Sequence, residues 1–371
     1  MFVYVIMLVC ALLCFCLELN DYRTVTLPDN SVEKRSKLIY PFIVLSVICL
    51  FAACRGEIGD TGAYISTYYN APNDFSQFVD YVKSIESDKL FYGYMCFIRC
   101  LFPNSTATIW LSSVSIICCL LLLIGLYNTA ECSSFVLFIF IASSDVLWLM
   151  NGMRQFTAVC IIFSAAGLIK KRKWLRFFIV VGIAYFVHDS ALLMIPFYLI
   201  AIMKPWSKMI WIFIAASVVV ILNSDSFFNT MDTVMTDSNY SNSLTFIKSD
   251  SGSNIFRALV STVPVGIAFI KRKEVEAQGN PFINVCVNMS LLTSIMFFLA
   301  SFSSGIVVGR VPAYFELFAF ILLQWLIGNV FDKDKRVLMY VLCIFFYSVY
   351  FYYAYNGIGY YSSILNIYYK A

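Results

Sequence analysis

The sequence predicts an all-α polytopic membrane protein, and its composition, its apolar segments and its loop charges all indicate this class. Of its 371 residues, 61% are hydrophobic and 13% are charged, and the mean hydropathy is +0.80. A soluble domain has about 25% charged and about 45–50% apolar residues. Because a spanning helix needs roughly 20 apolar residues, the chain has room for ten to twelve spans. We expect them to form a single integral-membrane domain over residues 1–371.

The apolar segments predict about twelve spans in order. They lie at about 2–18, 38–54, 107–127, 134–150, 155–169, 174–187, 189–203, 209–223, 254–270, 282–303, 308–330 and 337–355. The first segment has no basic start and no small-residue cleavage site, and its charges follow it. We therefore interpret it as a helix and not as a signal peptide.

The loop charges predict how these spans are oriented. Seventeen of the 26 lysines and arginines fall in loops on one side: four in 19–37, five in 170–176, two in 204–208, three in 271–273 and three in 333–336. Cytoplasmic loops carry an excess of Lys and Arg. Both termini are therefore predicted to face the periplasm.

Two predicted outer loops, about 55–106 and 224–253, are long enough to form a substrate-facing side. The inner loops are short and basic, and they contain no P-loop and no Gly-rich dinucleotide fingerprint. No CxxC pair or His/Cys spacing indicates a metal site. We expect no metal, no cofactor and no nucleic-acid partner, and any chemistry is predicted to face outward.

Five arginines lie near the outer ends of spans, where positive charge is normally rare: Arg55, Arg99, Arg154, Arg257 and Arg310. An arginine stays charged in proteins, so each needs an anionic partner, either a carboxylate of the protein or an acidic ligand. A guanidinium suits bidentate contact with phosphate. We predict a pyrophosphate site formed by Arg154, Arg310, Arg257 and Arg55.

These assignments have structural alternatives. Arg99 lies in an amphipathic segment that can rest on lipid headgroups, and Arg154 can be a snorkelling charge at a helix end. Arg310 can pair with Asp60 or Asp189 from elsewhere in the chain. A pair of Arg310 with Glu316 is not expected, because six residues along a helix share a face poorly.

A general base is predicted at His188 or Asp60. His188 is the only histidine and lies where one span reaches the outer surface. An imidazole can act as a base near neutral pH, although a lone histidine is more often structural. Sugar contacts are predicted for Tyr64, Tyr68, Gln155 and Tyr314. For the tyrosines of the first outer loop, the alternative is an interfacial aromatic belt.

In this order, the segments RGEIGDTGAYISTYY, NGMRQFTAV, KKRKW, VHDSALLMIP and GRVPAYFELF resemble the EpsG/Wzy-type polysaccharide polymerases. The resemblance covers most of the chain and is consistent with the predicted topology. The first outer loop departs from it, because it reads GDTGAY where related chains have an uninterrupted acidic and tyrosine-rich stretch. This departure weakens the assignment of Asp60 more than that of Arg154 or Arg310.

The resemblance implies a GT-C-like outward-facing active site in the bacterial inner membrane. The expected reaction is polymerisation of O-antigen, capsule or exopolysaccharide from undecaprenyl-pyrophosphate-linked repeat units. The growing chain would be transferred to a sugar hydroxyl of a new lipid-linked unit. The lipid bilayer is an expected partner, and a chain-length regulator protein is a candidate partner.

Other functions remain open at this point, including a purely structural membrane protein. A membrane O-acetyltransferase would be expected to have its catalytic histidine near a cytoplasmic or midplane entry, whereas the only histidine here is predicted to face outward. A flippase for the same lipid-linked units would need charges near the membrane midplane and repeat symmetry, neither of which the sequence shows. An O-antigen ligase would use the same donor with a different acceptor. The early RGxxGD and the HxSA elements favour the polymerase.

Overall fold

Helices follow the apolar segments of the chain. The computed structural model describes residues 2–26, 32–56, 58–223, 252–305 and 307–356, and 78% of these described residues are helical. Contacts group the chain into two compact units, Met1–Ile195 with Lys333–Ala371, and Pro196–Asp332. Most of the second predicted outer loop, 224–253, lies outside the described residues.

The first unit contains the helices of the N-terminal half and the last described helix. They are α1 (Phe2–Glu18), α2 (Ile39–Ala53), α3 (Thr61–Asn70), α4 (Phe78–Ser84), α5 (Lys89–Leu101), α6 (Thr108–Thr129), α7 (Ser133–Ala142), α8 (Met153–Ser164), α9 (Ala166–Lys170), α10 (Trp174–Val187) and, at the end, α17 (Lys333–Tyr355). Helix α11 (Met194–Ala201) begins at the end of this unit.

The second unit continues with the helices α12 (Lys208–Leu222), α13 (Ile255–Ile270), α14 (Arg272–Ala277), α15 (Pro281–Ser301) and α16 (Glu316–Asn329). The part of the chain that the structure describes also has four 3₁₀ segments. Phe75–Gln77, Asp145–Leu149 and Asp189–Leu193 lie in the first unit, and Val308–Tyr314 lies in the second.

The helix lengths support fewer membrane spans than the twelve predicted, so the number of spans stays a prediction. Within the described residues, α6, α15 and α17 are long and apolar enough to cross a membrane. The 3₁₀ segment Val308–Tyr314 and α16 meet at a bend of 52°, and together they make a fourth candidate if they form a single span. Shorter apolar helices of 10–17 residues lie in the other eight predicted ranges.

The inner loop 19–37 contains strand structure that an all-α prediction does not include. Strands β1 (Tyr22–Thr26) and β2 (Val32–Ser36) pair antiparallel, with Tyr22 opposite Ser36. The hairpin is fixed to the end of α6, because Arg23 donates to the carbonyl of Tyr127 at 2.8 Å and the N–H of Ser36 donates to the carbonyl of Ala130. The predicted all-α fold class is therefore corrected to a mainly helical fold with a two-stranded sheet.

Helix α6 shows how the first unit divides protein-facing from lipid-facing surface. Trp110, Cys118 and Leu122 are buried, and α6 packs against the neighbouring helices α2 and α8. Ile116 and Leu120, on the other side, are about half exposed. Because such an exposed apolar stripe suits hydrocarbon and not water, these helices indicate a membrane protein.

Polar side chains satisfy helix ends at two buried positions. The carboxylate of Glu18 accepts from the backbone N–H groups of Ser133 and Ser134, at 3.0 and 2.9 Å, and so caps α7. In the second unit, the amide of Asn288 donates to the carbonyls of Ile200 and Met203 near the end of α11. These contacts satisfy groups that a helix terminus leaves without an intrahelical partner.

Candidate functional site

A buried carboxylate, Asp88, joins three segments of the first unit. Its Oδ2 accepts from Nη1 of Arg154 at 2.6 Å. Nδ1 of His188 lies 3.3 Å from both carboxylate oxygens, and the backbone N–H of Asp189 donates to Oδ1 at 3.3 Å. The Asp88 side chain is only 3% exposed. We call Asp88, Arg154 and His188 the acid cluster.

The backbone turns the Asp88 side chain toward this cluster. Asp88 precedes α5 with φ 55° and ψ 38°, in the left-handed region, which Asp tolerates better than most residues. Its carbonyl accepts from the N–H groups of Phe91 and Tyr92, and its side chain makes no cap bond to α5. The carboxylate is therefore available to Arg154 and His188.

Arg154 lies in the first turn of α8 and is one third exposed. Nε donates to the hydroxyl of Tyr64 at 3.3 Å, and the guanidinium carbon lies 5.6 Å from the Tyr92 ring centre. Burial raises the pKa of the Tyr92 phenol, so this hydroxyl stays protonated. Nη2 makes no hydrogen bond among the described residues, so it can reach an anion beside a helix N-terminus.

His188 ends α10 with an extended backbone, φ −159° and ψ 125°. Its N–H still donates to the carbonyl of Ala184 at 2.9 Å, which holds the residue at the helix end. The imidazole is 23% exposed. Since α10 and the segment Asp189–Leu193 both pack against α8, the ring comes beside Arg154 although 34 positions separate them in the sequence.

Arg55 and Asp60 connect the first outer loop to the turn before Arg154. Arg55 is fully buried, donates from Nε to the Thr61 hydroxyl at 3.4 Å and contacts the sulfur of Met153. The N–H of Asp60 donates to Oδ1 of Asn151 at 2.7 Å, and the Asp60 side chain is exposed. The burial of Arg55 weighs against direct contact with pyrophosphate, and its role as a pyrophosphate ligand stays a prediction.

A glycine is required at this connection. Gly59 has φ +52°, and a Cβ there would overlap the amide of Asn151. Both conditions favour a residue without a side chain. The early RGEIGD motif therefore supplies a close approach between the loop and the turn that carries Arg154.

The predicted sugar-binding residues are mostly inside the protein. Tyr68 is fully buried and stacks on Trp110 with ring centres 6.2 Å apart, and Tyr314 and Gln155 are buried as well. Tyr64 is also buried, but its hydroxyl reaches Arg154. Burial weighs against stacking of these side chains on a sugar, and their sugar-binding role stays a prediction.

The remaining predicted arginines lie in the second unit. Arg257 pairs with Glu316 at 3.2 Å and lies 4.6 Å from the centre of the Phe297 ring. Arg310 is partly exposed and lies in the 3₁₀ segment that ends at Tyr314. Their roles as pyrophosphate ligands stay predictions.

Asp88 is the residue that the sequence reasoning missed. Each outer arginine was expected to have an anionic partner, and a carboxylate of the protein was one of the two possibilities. Arg154 and Arg257 both have such a partner. Searching the acids of the first outer loop for the partner of Arg154 would have included Asp88. The described residues contain no group of three His, Cys, Asp or Glu side chains that could hold a metal.

Comparison with known proteins confirms the resemblance seen in the motifs. Residues 38–369 match the sequence model of the EpsG family. No curated protein and no solved structure matches the chain.

Proposed function

Because the chain belongs to the EpsG family, we propose that it polymerises undecaprenyl-pyrophosphate-linked repeat units at the periplasmic face of the bacterial inner membrane. Family membership indicates a polysaccharide polymerase-type role. Our proposal goes beyond the family role in two respects, the lipid-pyrophosphate donor and the side of the membrane on which the reaction takes place.

The acid cluster carries this proposal, because it combines a cation and an imidazole in one partly exposed site. In the transfer, the anomeric carbon of the growing chain loses its bond to pyrophosphate and gains a bond to an acceptor hydroxyl. The hydroxyl proton must leave, and the departing pyrophosphate gains negative charge. A catalyst for this step therefore needs a base and an anion-stabilising group near one carbon atom.

Arg154 is the group that we assign to the leaving pyrophosphate. Its Nε and Nη1 are held by Tyr64 and Asp88, at 3.3 and 2.6 Å, which fixes the guanidinium before substrate binds. Nη2 and the N-terminus of α8 then favour an anion on the exposed side. A donor that is already oriented needs little reorganisation as charge develops.

His188 is the base that we assign to the acceptor hydroxyl. Its ring is partly exposed and shares the carboxylate of Asp88 with Arg154, so proton acceptance occurs close to the leaving group. Asp60 remains the alternative base. Its backbone N–H is held by the side chain of Asn151, and its own side chain is exposed and can reach a ligand. Arg310 remains the second candidate for pyrophosphate.

A surface-polysaccharide gel tests the proposal in cells. A strain lacking the gene is complemented with the wild-type chain, Arg154→Ala, His188→Ala or the control Arg176→Ala, an exposed arginine in the predicted cytoplasmic loop. We expect a full ladder for wild type and the control, and a single repeat unit for the two site variants, each verified in membranes by immunoblot.

Each other pattern has a defined meaning. Loss of all repeat units in the deletion strain would indicate a ligase or flippase. A full ladder with both Arg154→Ala and His188→Ala would exclude the acid cluster as the site of polymerisation.

A further inference from the structure

We propose that Asp88 is a positioning residue that fixes the tautomer of His188, so that Nε2 is the nitrogen available to accept a proton. The catalytic consequence rests on the proposed function, but the tautomer does not. Nothing in the sequence motifs or in the family match assigns a role to Asp88.

The hydrogen-bond pattern of the carboxylate carries the argument. Arg154 donates to Oδ2 at 2.6 Å and the N–H of Asp189 donates to Oδ1 at 3.3 Å, so both oxygens act as acceptors. An ionised carboxylate can only accept. Nδ1 of His188, 3.3 Å from both oxygens, must therefore carry the proton.

A neutral imidazole has one N–H, so a proton on Nδ1 leaves the lone pair on Nε2. This is the less favoured tautomer of free histidine in water. The protein must therefore stabilise it, and the described acceptor at Nδ1 is Asp88. The other ring nitrogen is then the one that points away from the carboxylate.

The packing of α5 favours this position of Asp88. Phe91, one turn into α5, packs against Tyr64 and Trp110 with ring centres 5.9 and 5.6 Å apart. The carboxylate is 3% exposed and receives donors from α8, from His188 at the end of α10 and from the segment that follows. The same packing places Tyr64 so that its hydroxyl accepts from Arg154. Asp88, at the start of α5, therefore couples the orientation of the guanidinium to that of the imidazole.

The shared carboxylate also has an electrostatic consequence. With a neutral imidazole, Arg154 and Asp88 offset each other in charge. When Nε2 takes the proton of the acceptor sugar's hydroxyl, the acid cluster gains one positive charge beside the departing pyrophosphate. Proton acceptance and leaving-group stabilisation are thereby linked.

The single histidine makes the tautomer directly measurable. The full chain is labelled with ¹⁵N-histidine, purified with a histidine-free tag and studied by two-bond ¹H–¹⁵N NMR. The pH is raised until the ¹⁵N shifts of the ring no longer change, so that the neutral imidazole is observed. We expect a protonated Nδ1 and an unprotonated Nε2 in the wild type. A protonated Nε2 in the wild type would overturn the proposal.

Two variants locate the cause. Asp88→Asn keeps the side-chain size but presents an amide that can donate to Nδ1, so we expect the Nε2-protonated form or a mixture. Asp189→Asn removes the neighbouring carboxylate and is expected to keep the wild-type spectrum. An unchanged tautomer in Asp88→Asn would overturn the proposal, and if this variant does not fold, the wild-type spectrum alone decides.

The catalytic consequence is tested with purified enzyme in liposomes and lipid-linked repeat units extracted from the deletion strain. We expect Asp88→Asn to lower kcat about 10- to 100-fold, with KM within about threefold because substrate contacts are kept. A raised KM with unchanged kcat would overturn the positioning role. An inactive wild type would instead contradict the proposed function, while the NMR result would still stand.

Discussion

At Arg154, one guanidinium makes hydrogen bonds in two directions and keeps a third edge partly exposed. Tyr64 accepts from Nε and Asp88 accepts from Nη1. An ammonium group has no planar fork and cannot span both partners while it also contacts a ligand. The geometry of the side chain therefore matters here in addition to its charge.

We expect Arg154→Lys to keep the fold and to lower kcat about 10- to 100-fold, because one oriented donor to the leaving group contributes a few kcal/mol. The matched control is Arg99→Lys, since Arg99 lies over the ring of Tyr68 and is not part of the acid cluster. Turnover in liposomes measures the effect. Equal activities of the two variants would show that charge alone is sufficient at position 154.

Sequence reasoning reached some of these residues and not others, for a physical reason. Arg154 and His188 were predicted because a charge or an imidazole at the outer end of an apolar span is conspicuous. Asp88 was not, because its partners lie 66 and 100 positions away. No helical periodicity connects such distances. The packing of α5 against α10, and of α10 against α8, brings these residues together.

Among the elements, the pair α6 and α8 sets the position of Arg154 at the start of α8. The two helices come close at Gly125, where a Cβ would overlap the ring of Phe163 and lie 3.0 Å from its carbonyl oxygen. Small residues allow close approach of membrane helices. The absence of a side chain at this position therefore determines how deeply α8 lies against α6.

We expect Gly125→Ala to lower the free energy of unfolding by about 1–3 kcal/mol, as overpacking does, and to reduce activity by shifting α8. The matched control is Gly182→Ala in α10, where no atom lies within 4 Å of the added Cβ. That change is expected to raise stability by about 0.4–1 kcal/mol. Thermal unfolding in detergent measures both, and equal shifts would contradict the close approach.

The apolar runs predicted where helices occur, because burial of a continuous apolar segment in lipid needs internally paired backbone. The hairpin β1–β2 was not predicted. Its strands, YRTVT and VEKRS, are short and charged and read as a loop. Their stability depends on long-range contacts such as that of Arg23 with Tyr127.

For the whole molecule, the orientation in the membrane decides which substrate the acid cluster can meet. Repeat units on the periplasmic leaflet reach Asp88, Arg154 and His188 only if the first outer loop faces the periplasm. The concentration of 17 of the 26 lysines and arginines in the opposite loops predicts this orientation.

Fusions of the chain to two reporters test this orientation. A fusion that ends after Lys83, in the last turn of α4, is expected to give active alkaline phosphatase, which folds only in the periplasm. Fusions that end after Arg172, in the turn between α9 and α10, or after Lys335, in the first turn of α17, are expected to give fluorescent GFP and inactive phosphatase. Phosphatase activity after Arg172 together with GFP fluorescence after Lys83 would place the acid cluster in the cytoplasm. The cluster could then not act on periplasmic repeat units, so the proposed reaction would fail even if every residue-level variant behaved as expected.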